Sequence, residues 1–245
     1  DYNPKLISSG GGVYDRGAKE IKLSQEVQKL LNIEKSVVNG SELIYFLLKC
    51  NVELLWFGGI GTYIKASTES HSQANDLAND SVRINDTQCK AAIIGEGANL
   101  GITQQARINM SLSKIKLNTD FIDNSAGVNI SDYEVNLKIF LNLLLQKSKI
   151  KTVQSRNSYL KKATQAVMNL VLANNISQHQ LLSMEEIRSS YEILHYESLC
   201  QTLISTGLLN TKTDIVPNAS TFEALDKKND PLSRPTLAKL QALVK

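Results

Sequence analysis

Two short apolar runs that each close on glycine constrain this chain more than any other feature in it. The first reads Val52-Glu53-Leu54-Leu55-Trp56-Phe57 and stops at Gly58-Gly59; the second reads Ala91-Ala92-Ile93-Ile94-Gly95. Such runs are short for a helix and rich in branched and aromatic side chains, the pattern of strands buried on both faces of a parallel sheet. A weaker third strand is expected over 114–118. Parallel strands need crossover segments between them. The polar stretch 69–81 reads as one helix, and Thr103 as the N-cap of another that runs through Ala106 and Ile108. Ahead of the first strand, Ser24 opens a helix carrying Val27, Leu30 and Leu31, and a second starts at Ser41 with Leu43, Ile44, Phe46, Leu47 and Leu48. Residues 1–20 hold Asn3-Pro4, Ser8-Ser9-Gly10-Gly11-Gly12 and Asp15-Arg16-Gly17 and read as a loop. The alternation of helix and strand is that of an α/β layer.

After Asn124 the character changes to all-α. Ser131-Asp132-Tyr133-Glu134 has the S-x-x-E form of a capping box, and the apolar residues that follow (Val135, Leu137, Ile139, Phe140, Leu141, Leu143 to Leu145) imply a long buried helix with Ser131 as its N-cap. Further helices are expected over 155–173, over 183–204 with a second S-x-x-E at Ser183 and Glu186, and from Thr221 to the end with interruptions at Pro231 and Pro235. The two parts divide as 1–147 and 148–245.

Composition narrows the function classes. The 27 Lys+Arg against 24 Asp+Glu leave a formal +3, too little to favour a nucleic-acid partner. No apolar stretch approaches the roughly 20 residues that span a bilayer, and no secretory signal opens the chain, so a cytoplasmic protein without a membrane role is expected. Cys50, Cys89 and Cys200 are widely spaced, and His71, His179 and His195 form no HExxH, so neither a disulfide framework nor a metal site is expected. The three histidines read as surface or internally satisfied residues, Asp76 and Asp80 as a solvated helix face, and Trp56 as core or crevice wall. The opening Asp1-Tyr2-Asn3-Pro4, without Met, suggests a piece of a longer polypeptide.

Three loops at expected strand ends share one chemistry. Gly58-Gly59-Ile60-Gly61-Thr62 leaves the first strand at the sheet edge where α/β proteins bind ligands. It is neither G-x-G-x-x-G nor a P-loop, so a plain tight turn stays open as a reading, although glycines also admit a phosphate or ribose closely. Glu96-Gly97-Ala98-Asn99 leaves the second strand, and its Asn offers both a donor and an acceptor. Asn124-Ser125-Ala126-Gly127-Val128, then Ser131, leads into the helical part, where free N–H groups at a helix start suit a carboxylate. Together they point to one crevice.

These residues resemble a known family. Glu96-Gly97-Ala98-Asn99 with Thr103, followed by Asn124-x-Ala126-Gly127-Val128-x-x-Ser131-x-x-Glu134, is similar to the dinucleotide domain of glutamate dehydrogenases. Pro4-Lys5-Leu6-Ile7-Ser8-x-Gly10-Gly11-Gly12, Trp56 through Lys65, Thr68-Glu69-Ser70-His71 and Asn118 through Val128 resemble, more narrowly, the very large bacterial NAD-specific glutamate dehydrogenases. The resemblance extends to Leu232-x-Arg234-Pro235-x-Leu237-Ala238 and so covers essentially the whole chain. It implies a partial Rossmann-like parallel sheet, a dinucleotide-binding domain without its first strands, followed by an all-α region.

By that resemblance the activity is oxidative deamination of L-glutamate to 2-oxoglutarate and ammonia with NAD as cofactor. Gly58, Gly59, Gly97, Ala98, Asn99 and Asn124 would line the nicotinamide and ribose side, while Val128 and Ser131 would meet the substrate, Ser131 at its distal carboxylate. The family's pyrophosphate fingerprint and its catalytic Lys and Asp lie upstream. No catalytic residue is therefore assigned here, although Lys65 and Asp123 stand near the relevant loops. The upstream segment of the same enzyme becomes an expected partner, a homo-oligomer is expected, and the chain alone is expected to be inactive. Two other readings stay open: a non-catalytic binding or assembly module, or a relic of a split gene, and a different amino acid dehydrogenase.

Overall fold

The computed structural model describes residues 3–211 and 213–244; the ends of the first loop (Asp1, Tyr2) and of the last helical stretch (Lys245) lie outside them. The opening segment holds one 3-10 turn, Pro4–Leu6, and is otherwise irregular, as its turn residues imply. It is tied down where the Ser24 hydroxyl donates to the Gly10 carbonyl at 2.7 Å.

A small antiparallel pair, β1 (Ile21–Lys22) and β2 (Val37–Val38), brackets helix α1 (Gln25–Leu31), whose N-cap is Ser24. Helix α2 (Gly40–Leu48) starts one residue ahead of expectation, because Asn39 and Glu42 close a reciprocal capping box. Its first residue must be glycine: a Cβ there would stand 2.0 Å from the Arg16 carbonyl oxygen. Ile21, Leu23, Leu31, Val38 and Cys50 form the small core of this corner.

The α/β layer follows. Strand β3 (Leu54–Phe57) pairs in parallel with β6 (Ile93–Glu96), Leu54 opposite Ile93 and Phe57 opposite Glu96. A second parallel pair, β4 (Ile64–Lys65) with β5 (Ile84–Asn85), is only two residues long. The expected third strand over 114–118 shortens to a bridge, in which the Ile94 N–H donates to the Lys116 carbonyl and the Lys116 N–H to the Ala92 carbonyl. Parallel pairing is thus correct, but the pieces are separate two-stranded ribbons among the described residues. The expectation of strands buried on both faces needs correction too. Leu55, Phe57 and Ile94 lie in or against the core with Ile64, Ile84, Ile102 and Met110, while Leu54, Trp56 and Ile93 face outward.

The polar stretch 69–81 is not one helix. It breaks into α3 (His71–Ala74), which ends at Asn75 in left-handed geometry, and a 3-10 turn Leu77–Asn79. Asn and Asp compete with helix by bonding local backbone groups, which explains the break. Helix α4 (Gln104–Leu112) is capped by Thr103 as expected.

The helical part departs most from the sequence reading. A one-turn helix α5 (Asp120–Asp123) leads through Asn124 into α6 (Ser125–Gln146), so Ser131 lies well inside α6 and is not its N-cap. Many apolar residues of α6, among them Val135, Ile139, Phe140 and Leu143, are exposed rather than buried. The helices expected over 155–173 and from 183 are one continuous α7 (Val153–Tyr191), capped by Thr152. Ser183 does not cap; inside α7 its hydroxyl donates to the His179 carbonyl at 2.9 Å. Glu192 alone separates α7 from α8 (Ile193–Ser205). Then come α9 (Ala219–Asp226) and α10 (Arg234–Leu243), where Pro235 occupies the first turn behind the Ser233 cap and starts the helix rather than interrupting it.

Leu182, Ile193, Tyr196, Leu203, Phe222, Leu232 and Leu237 build the core of this part, and Ile122 of α5 joins it. Contacts run back to the α/β layer: α10 packs on α4, and the Gln104 side chain donates to the Pro235 carbonyl at 3.2 Å. No helix among the described residues is long and apolar enough to cross a membrane.

Candidate functional site

Two strand-end loops, after β3 and β6, are tied together and to the α5–α6 junction; the third loop expected over 124–128 is not a loop but Asn124 and the first turn of α6. After β3, the turn through Gly58, Gly59 and Gly61 is fixed by Thr62: its N–H donates to Asp76 Oδ2 at 2.7 Å and its hydroxyl to the Leu100 carbonyl at 2.8 Å. After β6, the turn 96–101 is strapped to α5, the Glu96 N–H donating to Asp123 Oδ2 at 2.9 Å and the Leu100 N–H to Asp120 Oδ2 at 2.8 Å. The α5–α6 junction joins the second loop directly, because Asn124 Nδ2 donates to Asn99 Oδ1 at 2.7 Å.

Beneath this edge lies a buried charge cluster that the sequence reading did not single out. Arg107 of α4 forks onto Glu96, Nε to Oε1 at 2.6 Å and Nη2 to Oε2 at 2.8 Å, and its Nη2 stands 3.4 Å from Asp120. Glu96 is 1% and Arg107 4% exposed. Burial is the largest influence on the Glu96 carboxyl and pushes it up; Arg107 pulls it down, and the Asp120 and Asp123 charges add to the upward push. The guanidinium stays charged, since Glu96 and the two aspartates outweigh its desolvation. Asp123 Oδ1 also accepts from Asn118 Nδ2 at 2.7 Å and faces His179 Nε2 at 3.2 Å. A carboxylate closing an apolar strand, with an Arg one helix later, was the available signal.

The expected residues fall as follows. Gly58 and Gly59 are exposed; around Gly59 a Cβ would meet nothing within 4 Å, so the backbone is open to a ligand. Gly97 is needed beneath the Trp56 indole, and Ala98 is buried. Asn99 is exposed and Asn124 half-buried. Their mutual bond uses the Asn99 side-chain carbonyl and one Asn124 amide hydrogen, and the Asn99 side-chain amide and the Asn124 side-chain carbonyl have no partner among the described residues. Gly127 leaves room for Asn124, whose carbonyl oxygen would be 2.7 Å from a Cβ placed there. Val128 and Ser131 are both exposed and, three residues apart, share a face of α6. Ser131 is therefore not beside the first-turn N–H groups of its helix, as a cap would be. Open backbone is thus found at Gly59, and carboxamide groups without a partner among the described residues at Asn99 and Asn124.

Lys65 is buried, its ammonium spent on the Glu69 carbonyl and Asn85 Oδ1, both at 2.7 Å, and the Ala66 carbonyl. Asp76 and Asp80 are not a solvated face. Asp80 pairs with the buried Arg83 at 2.5 Å, the Asp76 backbone carbonyl accepts from Arg83 Nη2, and Arg83 Nε donates to the Thr62 carbonyl at 2.8 Å. The Asn79 amide and the Thr62 N–H hold the Asp76 carboxyl below its ordinary range. His179 is half-buried and satisfied, by Asp123 and by the Asn175 carbonyl at 2.8 Å; His71 contacts Arg83, and His195 contacts Glu192. A hollow of about 600 Å³ lined by Asn175, His179, Ser183 and Met184 opens beside the α5–α6 junction.

The parallel pairs and helices make this an α/β chain, the class in which ligands bind beyond the carboxyl ends of the strands, where the loops after β3 and β6 lie. The profile of a family described as "Bacterial NAD-glutamate dehydrogenase, catalytic domain" matches residues 1–185, and the chain belongs to that family. It is similar to three proteins named NAD-specific glutamate dehydrogenase. The one from Pseudomonas aeruginosa is 42% identical over 98% of this chain, that from Mycobacterium tuberculosis 39% over 100%, and that from Halomonas elongata 36% over 100%. The chain spans about 15% of the length of each of these relatives.

Proposed function

We propose that this chain is one part of an NAD-dependent glutamate dehydrogenase that converts L-glutamate to 2-oxoglutarate and ammonia. Residues 1–147 would be a partial Rossmann-like dinucleotide domain and 148–245 a helical region, acting in the cytoplasm within a homo-oligomer. The observation that carries this reading is the convergence of the two strand-end loops and the α5–α6 junction, held by the bond between Asn124 and Asn99.

In this reading Gly58 and Gly59 let the cofactor ribose approach the backbone, Gly97 and Ala98 form the packed turn on which the nicotinamide side rests, and Asn99 and Asn124 offer their free side-chain amide and carbonyl to the nicotinamide carboxamide. Val128 and Ser131 face the substrate side chain, the Ser131 hydroxyl donating to the distal carboxylate. Bound NAD supplies the hydride acceptor for the substrate Cα. The chain's own part is orientation: Asp120 and Asp123 hold the 96–101 turn rigid so that the two carboxamides present fixed donors and acceptors. Lys65 is engaged internally, so proton transfer falls to the rest of the enzyme and the chain alone is inactive.

The test is turnover of NAD and L-glutamate by the chain alone and mixed with the remaining segments of the enzyme. Activity in the mixture only is expected, and Asn124→Ala is expected to weaken NADH binding about tenfold, the equivalent of about 1.4 kcal/mol. Turnover by the chain alone, or unchanged NADH affinity in the variant, overturns the reading.

A further inference from the structure

The β3–β6 pair is covered on one face only among the described residues. Leu54, Trp56 and Ile93 are 55%, 58% and 44% exposed, although their neighbours Phe57 and Ile94 are buried in the core. Leu54 stands opposite Ile93 and Trp56 opposite Gly95. The indole spans Gly95 of the neighbouring strand and Gly97 just past its end: a Cβ on Gly95 would come within 2.4 Å of the ring, and one on Gly97 within 2.5 Å. Those glycines let a large ring lie across the strand, which leaves a smooth apolar platform. At its margin Lys116, in register with Ile93, is exposed and makes no ion pair among the described residues.

Parallel sheets are almost always covered on both faces. Two strands at about 4.8 Å spacing give a strip roughly 10 Å wide, close to the diameter of one helix. We propose that this face is the docking surface for an amphipathic helix contributed by the part of the enzyme outside residues 1–245. Its apolar stripe would rest on Leu54, Trp56 and Ile93, with an acidic side chain against Lys116. The relatives supply such an occupant, since they carry about 85% of their length outside the part matched by this chain. A second copy seated here would bring only apolar groups and another lysine to Lys116. The inference rests on the chain's working as part of a longer enzyme, and it concerns assembly rather than hydride transfer.

Trp56 is the single tryptophan of the chain, so 5-fluorotryptophan gives one ¹⁹F resonance. The labelled chain is mixed with the unlabelled segments of the Pseudomonas aeruginosa relative that flank the matched region. The expected result is a shifted resonance that loses its sensitivity to exchange of water for D₂O. Leu54→Lys should weaken association at least tenfold with unchanged circular dichroism and thermal midpoint. Trp56→Phe should hold it within about threefold, followed by sedimentation, and Lys116→Glu should weaken it most at low salt. Association with an unchanged resonance, no association, or protection that grows with the concentration of the chain alone each overturns the proposal; the last gives the face to a second copy. A protected but catalytically silent mixture leaves docking standing and removes the dehydrogenase reading.

Discussion

Arg107 sets its guanidinium between Glu96 and Asp120 with almost no solvent on any of the three. Removing one partner of a buried pair strands the other charge, at a cost of about 3–5 kcal/mol. Arg107→Met is therefore expected to destabilise the chain by that amount in urea titrations, and the double variant with Glu96→Gln to recover part of the loss. A single-variant cost below about 1 kcal/mol would contradict the cluster's role. Asp76 allows a pH test. Its folded-state value is lowered by Asn79 and the Thr62 N–H, so its contribution is complete above the ordinary 3.8 and is lost as pH falls through the lower folded value. Asp76→Ala should cost about 1–3 kcal/mol at neutral pH, and the gap to the parent protein should close below pH 3.8, followed by thermal midpoints. Neither site was legible in the sequence as a structural charge. Arg83 lies seven residues from Asp76, but the 3-10 turn between them brings the two together, and Arg107 meets Glu96 only because α4 folds back on β6. Periodicity reports which face is apolar, not which charges meet across a fold.

Among elements, those set by local chemistry were legible and those set by tertiary partners were not. Ser24 and Thr103 cap where read, since a side-chain oxygen bonding N–H groups two or three residues on is a local event. The S-x-x-E patterns at Ser131 and Ser183 misled because the same spacing also occurs one turn apart inside a helix; α6 had begun at Ser125 and α7 at Val153. The distinction yields a prediction. Thr152→Ala should cost about 1 kcal/mol by loss of the α7 cap, whereas Ser131→Ala, exposed and mid-helix, should stay within about 0.5 kcal/mol of the parent in thermal unfolding. If Ser131 meets the distal carboxylate, the same substitution in the assembled enzyme raises KM for glutamate with little change in stability. A large stability loss with unchanged KM would return Ser131 to a structural role. The exposed apolar residues of α6 show the same limit: a leucine-rich run announces burial but not against which partner.

At the scale of the molecule, α7 is the element that joins the helical part to the strand ends. At 39 residues it is about 58 Å long by its rise per residue, and two side chains one turn apart on it grip the α5–α6 junction. Asn175 Nδ2 donates to the Ile122 carbonyl at 3.0 Å and to Ser125 Oγ at 2.8 Å, and His179 faces Asp123, which in turn holds the Glu96 N–H. Arg234 closes the other side, its Nε donating to Asn118 Oδ1 at 2.7 Å and its Nη1 to Glu186 at 2.9 Å. Asn124 lies between the residues that Asn175 holds, so the position of its carboxamide, which we propose meets the cofactor, depends on α7. Asn175→Leu removes both bonds while filling similar space, leaving the Ser125 hydroxyl without that partner, at about 1–3 kcal/mol, while the Ile122 carbonyl keeps the Asn124 N–H. Local loosening should exceed the global effect, because the Asn175 bonds act on the short backbone stretch 122–125 and not on the cores on either side. Amide hydrogen exchange over 122–127 is expected to speed up by at least tenfold, while exchange in β3 and β6 changes little. Uniform acceleration across the chain would mean that Asn175 only supports the fold. Unchanged exchange at the junction would mean that α7 does not hold the crevice at all.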